Sequence, residues 1–186
     1  LDNLSTCKSP QQMFGALAKT YYAQKRNIDP AKVVSVSIMP CTAKKFEADR
    51  PEMRSSGFKD VDYVLTTREL AVMIKQAGIE FNALAESHCD SIMGESTGAA
   101  AIFGTSGGVM EAALRTAYFM LTGNELEKLE FEDIRGLDGV KELSLDINGM
   151  KLNFAVVNGV GNVEKILDEV ENGTCKYHFI EVMACP

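Results

Sequence analysis

The chain has 186 residues, 46% of them hydrophobic and 24% charged, enough for one ordinary core or two smaller lobes. A formal net charge of −7 argues against a nucleic-acid or anionic-membrane partner, because both need a basic surface. No apolar run approaches the roughly 20 residues of a membrane helix, and no signal-peptide pattern is present in these residues.

Cys7, Cys41, Cys89, Cys175 and Cys185 are widely spaced and contain no C-x-x-C pair. That pattern is neither a disulfide scaffold nor the paired spacing of a zinc ribbon or ferredoxin. The expectation is reduced thiols in the cytoplasm, with any metal site assembled from distant parts of the chain. The chain opens at Leu1 without a methionine and stops at Pro186 just after a strand pattern, which reads as a piece of a longer protein.

In chain order, Ser9-Pro10-Gln11-Gln12 is a helix start, with a Ser cap and Pro at the first helical position. Met13, Phe14, Leu17, Ala18, Tyr21 and Tyr22 then recur at helical spacing, and Asn27 to Pro30 ends the helix. The β-branched run Val33 to Met39 predicts a buried strand that Pro40 stops. Val61 to Leu65 predicts a second strand, followed by a helix capped by Thr67 and closed by Gly78. The Gly- and Ala-rich stretch Gly94 to Gly108 leads into a long helix carrying Val109, Met110, Ala113, Leu114, Ala117 and Met120. Asn148-Gly149 between two apolar runs predicts a β-hairpin over 141–158. A helix from about Asn162 to Val170 and a strand from Tyr177 to Met183 follow. The predicted class is α/β, with mainly parallel sheets flanked by helices in two lobes and one local hairpin.

Two strand patterns end alike, in Met39-Pro40-Cys41 and Met183-Ala184-Cys185. In open α/β sheets, ligands gather outside the C-terminal ends of strands. The two cysteines therefore either converge on one ligand or are buried structural thiols, and spacing alone fits both. His88-Cys89-Asp90 reads as a loop, because adjacent residues rarely converge on one ion. His178 reads as a core or interface histidine. Gly104 to Gly108 lacks the Lys-Ser/Thr of a phosphate loop.

Met39-Pro40-Cys41-Thr42-Ala43-Lys44-Lys45-Phe46-Glu47 resembles the M-P-C-x-x-K-x-x-E motif of the iron-only (FeFe) hydrogenases. Glu181-Val182-Met183-Ala184-Cys185-Pro186 resembles the opening of their third motif, which continues G-G-C. Lys8 to Ala16 and Ser96 to Arg115 are similar to the same family. The resemblance covers essentially the whole chain and makes residues 1–186 a partial H-cluster-binding domain. The first motif, T-S-C-C-P, and the last cysteine of the third lie outside this sequence.

The resemblance implies an H-cluster, a 4Fe–4S cubane joined by a cysteine sulfur to a diiron subcluster with carbonyl and cyanide ligands. Cys41 and Cys185 match two of the four thiolates a cubane needs. If they share one cubane, their sulfurs should lie about 6–7 Å apart in one cleft. Lys44 matches the lysine that donates to a cyanide, a task suited to a compact ammonium. Glu47 matches a carboxylate near the cluster and Ser5 a serine of the proton supply. Met39, Pro40, Gln11, Phe103 and Met183 match positions lining the diiron pocket. Cys7, Cys89 and Cys175 match no ligand position.

The implied activity is heterolytic interconversion of dihydrogen with protons and electrons, exchanged with a ferredoxin-like carrier, in an anaerobic bacterium. Two other functions carry related sequences: a non-enzymatic iron–sulfur assembly protein without a diiron site, and a sensory hydrogenase domain. The Ser-Pro-Gln-Gln-Met and Thr-Gly-Ala-Ala-x-Ile-Phe-Gly segments favour the hydrogenase.

Overall fold

The computed structural model describes residues 2–94, 98–126, 129 and 139–184, and the backbone of 132–133. It falls into two compact units, Leu1–Gly94 and Glu95–Pro186, in keeping with the α/β reading in two lobes.

The first unit begins with helix α1, Pro10–Leu17. Pro10 sits in its first turn and the Ser9 side chain accepts from Gln12 N, as the sequence predicts. The helix then widens into a π-helical stretch, Ala18–Tyr22, which hydrophobic spacing does not reveal, and ends as α2, Ala23–Arg26. Asn27 closes it at φ 54°, the left-handed position that asparagine tolerates. Strand β1, Val36–Ile38, pairs in parallel with β2, Tyr63–Leu65, in the register Ser37 to Val64. Helix α3, Ala43–Asp49, lies between them in sequence, and α4, Thr67–Gln76, follows β2. Thr66, not Thr67, caps α4. Its hydroxyl accepts from Glu69 N while the Glu69 carboxylate accepts from Thr66 N, and that reciprocal pair requires the acid three residues after the cap.

β1 departs from the expectation of burial. Val34, Val36 and Ile38 are 62%, 52% and 46% exposed. Strand alternation turns Ser35 and Ser37 to the other side, where the Ser37 hydroxyl meets α1.

Unit one is held by two acidic residues at the mouth of β2. Asp60 is fully buried and accepts from Ser55 N, Ser56 N, Ser56 Oγ and Lys8 Nζ. Asp62 accepts from Ser35 N and, bidentately, from the nearly buried Lys19. Helix α1 crosses this turn so closely that a Cβ on Gly15 would stand 2.5 Å from the Asp60 carbonyl oxygen.

In the second unit, α5, Ala99–Ile102, precedes α6, Gly108–Thr122, whose N-cap Gly107 has φ 78°. The sheet runs in the order β3, Glu132–Asp133; β4, Val140–Ile147; β5, Met150–Asn158; β6, Phe179–Met183. β4 and β5 form the expected hairpin, turning at Asn148 (φ 53°) and Gly149 (φ 84°). Both turn residues have the positive φ of a type I′ turn. A single-turn 3-10 segment, Val160–Val163, and helix α7, Glu164–Glu171, carry the chain to β6, which pairs with β5 in parallel.

Alternation along β5 builds two cores. Phe154 and Val156 pack with Leu143 beneath Met110 and Leu114 of α6. Ala155 and Val157 pack with Val140 beneath Ile166 of α7. Each such large side chain contributes roughly 1.5–3 kcal/mol on burial. His178 is exposed and so is not a core histidine, and its Nδ1 accepts from Asn153 N at 3.0 Å.

Burial pushes the Asp60 carboxyl up, but hydrogen bonds from Ser56, Ser55 and Lys8 together outweigh it and hold the group below its ordinary range. Its contribution to stability is therefore present at neutral pH and lost as pH falls through the folded-state value. Asp60→Asn is expected to cost roughly 3 kcal/mol, the low end for breaking a buried pair, because Lys8 keeps 22% of its side chain in water. Urea unfolding from neutral to acid pH should show that loss, with a flatter acid limb in the variant.

Candidate functional site

The loop leaving β1 carries Met39, Pro40 and Cys41 into α3. Met39 N donates to Leu65 O at 2.9 Å, so the parallel ladder extends one bond beyond the strand and anchors the start of the motif. Pro40 is exposed and Cys41 is half-buried, a free thiol. One turn of α3 then brings Lys44 and Glu47 together, with Nζ to Oε2 at 3.2 Å and side chains 27% and 17% exposed. The pair is a half-buried ammonium–carboxylate couple. An ammonium has three donors, and Glu47 engages one of them.

The neighbouring lysine has a different task. Lys45 Nζ lies 2.6 Å from both carboxylate oxygens of Glu69, tying α3 to the capping box of α4. Lys45, then the Thr66 amide, hold the Glu69 carboxyl down at about 2. Adjacent lysines look alike in sequence, but one belongs to the motif turn and the other to the scaffold.

Gln11 is 8% exposed and sits against this turn: its Nε2 donates to Lys44 O at 3.4 Å and its Oε1 accepts from Ser37 Oγ at 2.7 Å. Gln11 and Met39 line a hollow of about 500 Å³ with Phe14, Tyr22, Val36 and Ile92. Cys41, Lys44, Glu47 and Pro40 are not part of that lining. Ser5 is exposed, and its hydroxyl accepts from Cys7 N at 3.1 Å.

The remaining expected positions belong to the second unit. Phe103 closes α5 and is 37% exposed. Met183 is half-buried at the end of β6, where its carbonyl accepts from Gly159 N at 2.9 Å. Cys185 lies outside the described residues. His88-Cys89-Asp90 is an exposed loop, as expected.

Three participants are missing from the sequence reading. Ser37 looks like strand filler, and only its place opposite α1 reveals it. Lys8 lies inside the Lys-Ser-Pro-Gln-Gln segment, but its partner Asp60 is far away in sequence. Glu181, a lone acid in an apolar strand, accepts from Met110 N at 2.7 Å and so ties β6 to the first turn of α6. Burial pushes its carboxyl up, against that one hydrogen bond.

Comparison with known proteins decides the family. The family described as iron only hydrogenase large subunit, C-terminal domain, matches residues 1–186. The chain belongs to it. It is 55% identical over 186 residues to the periplasmic Fe hydrogenase large subunit of Nitratidesulfovibrio vulgaris, covering all of this chain and 44% of that protein. It is 54% identical over 185 residues to iron hydrogenase 1 of Clostridium pasteurianum, covering 32% of that protein. A cytosolic Fe–S cluster assembly factor of Xenopus tropicalis is 33% identical and is covered over 40% of its length. The solved structure of an apo FeFe hydrogenase from Chlamydomonas reinhardtii superposes with a TM-score of 0.83 at 40% identity, over 98% of this chain and 53% of that one. The chain thus spans less than half the length of these curated relatives. Membership brings iron–sulfur chemistry and an H-cluster into consideration for the parent protein.

The donor chemistry agrees with a share of such a cluster. Cys41 offers one soft thiolate, the ligand iron–sulfur clusters require, and Lys44 keeps donors for an anionic group. Among the described residues no three His, Cys, Asp or Glu side chains are arranged to hold a metal ion.

Thiol accessibility gives a direct check. In the metal-free protein, iodoacetamide should label exposed Cys7 and Cys89 ahead of half-buried Cys41 and Cys175, as read by peptide mass spectrometry. Cys41 reacting as fast as Cys7 would contradict this placement.

Proposed function

We propose that the chain is part of the catalytic domain of a hydrogenase that interconverts dihydrogen with protons and electrons. The observation that carries this reading is the identity of 55% and 54% to hydrogenases over the whole chain, against 33% to the cytosolic assembly factor. When bound, the H-cluster supplies the redox chemistry.

The chain's own residues bind and orient. Cys41 and Cys185 each provide one cubane thiolate. Lys44 donates a charge-assisted hydrogen bond to a cyanide of the diiron subcluster, its ammonium steadied by Glu47. Met39, Pro40, Gln11, Phe103 and Met183 exclude water from the diiron subcluster, and Glu47 and Ser5 hold protons on their way to it. Electrons pass to a ferredoxin-like carrier. The protein works in the cytoplasm, a reading that rests on the wide, unpaired spacing of the cysteines in the sequence. Among the described residues no helix is long and apolar enough to cross a membrane.

Lys44→Ala in the full-length parent tests the central assignment. Losing a hydrogen bond to a charged group costs roughly 1.5–3 kcal/mol, about 10- to 150-fold in retention. Infrared carbonyl and cyanide bands should weaken by that factor while the cubane signal stays. Wild-type band intensities would refute the role of Lys44.

The isolated chain, with two matching thiolates where a cubane needs four, should evolve no hydrogen from reduced viologen after cluster loading. Gas chromatography of the headspace reads the outcome, and sustained evolution would overturn the ligand count.

A further inference from the structure

The serine face of β1 has a consequence for α3. The Gln11 amide is engaged at both ends, by Ser37 at 2.7 Å and by the Lys44 carbonyl at 3.4 Å. One member of this chain cannot donate. A backbone carbonyl only accepts, so the Gln11 nitrogen must face Lys44 and its oxygen must face Ser37. The Ser37 hydroxyl must then donate, and its proton is committed.

The two bonds are unequal. At 3.4 Å the contact with Lys44 lies beyond the usual N–H to O range and would not hold a glutamine amide by itself. The 2.7 Å bond is the anchor. It stands on a rigid element, because Ser37 sits in the middle of β1 in register with Val64. Glu47 steadies the head of the Lys44 side chain at 3.2 Å, and the Gln11 amide, once anchored by Ser37, lies against its root.

We infer that Ser37 is a positioning residue: through the Gln11 amide it sets the first turn of α3, and thereby the aim of the Lys44 ammonium. The same bond keeps the Gln11 amide engaged with protein in the hollow that Gln11 and Ser37 both line. The inference rests on the reading of Lys44 as a donor to an anionic ligand of the diiron subcluster.

The test uses the full-length holoenzyme with Ser37→Ala, Ser37→Thr, Gln11→Met and the double variant Ser37→Ala/Gln11→Met. Ser37→Ala should shift or broaden the infrared cyanide bands in the same sense as Gln11→Met, with the cubane's electron paramagnetic resonance signal unchanged. Ser37→Thr, which keeps the hydroxyl, should restore the wild-type bands. The double variant should shift no further than Gln11→Met alone. Wild-type bands in Ser37→Ala, or independent addition in the double variant, overturn the inference.

Lys44→Ala separates the two layers. If it leaves the cyanide bands unmoved, the reading of Lys44 fails. The clamp itself is then judged in the metal-free full-length protein with glutamine-selective labelling. Solvent exchange of the Gln11 side-chain amide should be slow in wild type and fast in Ser37→Ala. Equal exchange in the two proteins overturns the clamp whatever Lys44 does.

Discussion

The carboxylate of Asp60 gathers the donors of the turn before β2 and ties them to the segment that leads into α1. It accepts two backbone amides, one hydroxyl and the Lys8 ammonium while fully removed from water. A buried carboxylate is tolerated only when its acceptor sites are filled, and here donors from two segments distant in sequence fill them. Lys8 pins the approach to α1, and the absence of a side chain at Gly15 lets the helix press against the Asp60 backbone. An alanine there would gain up to about 1 kcal/mol of helix propensity and meet a backbone oxygen that cannot withdraw. The position of Gln11, one turn earlier, follows from that crossing. So does the meeting of α1 with Ser37 on β1 and Lys44 on α3.

Electrostatics divides the labour around α3. Lys45 and Glu69 form a surface pair whose strength lies in geometry, since the same carboxylate caps α4. Lys44 and Glu47 form a more sheltered pair along one helix face. An exposed couple of this kind contributes little to stability, whereas a sheltered one holds charge in place. The motif turn therefore keeps an ammonium, a carboxylate and a thiol within a short stretch, with the neighbouring lysine holding the helix that carries them.

The second unit shows how much a pattern can reveal when it is local. Asn148-Gly149 specifies its hairpin because both residues accept positive φ, and the period-two alternation of β5 sorts Phe154 and Val156 from Ala155 and Val157. The final strand and its preceding helix were equally legible. The role of Glu181 was not, because its partner, the amide of Met110, lies 71 positions earlier.

By itself the sequence determined the helix starts at Ser9 and near Thr66, the hairpin, the strand–helix alternation and the motif residues around Cys41. These depend on caps, turn residues and periodicity, which act within a few positions along the chain. Tertiary structure alone decided which face of β1 is covered, since its valines and serines alternate and either side could have been chosen. It also decided that Lys44 meets Glu47 while Lys45 meets Glu69, that α1 widens into a π turn at Ala18, and that Asp60 is fully buried. Each of these outcomes depends on donors, acceptors and volumes brought from distant segments, and one-dimensional spacing does not encode which of them will meet.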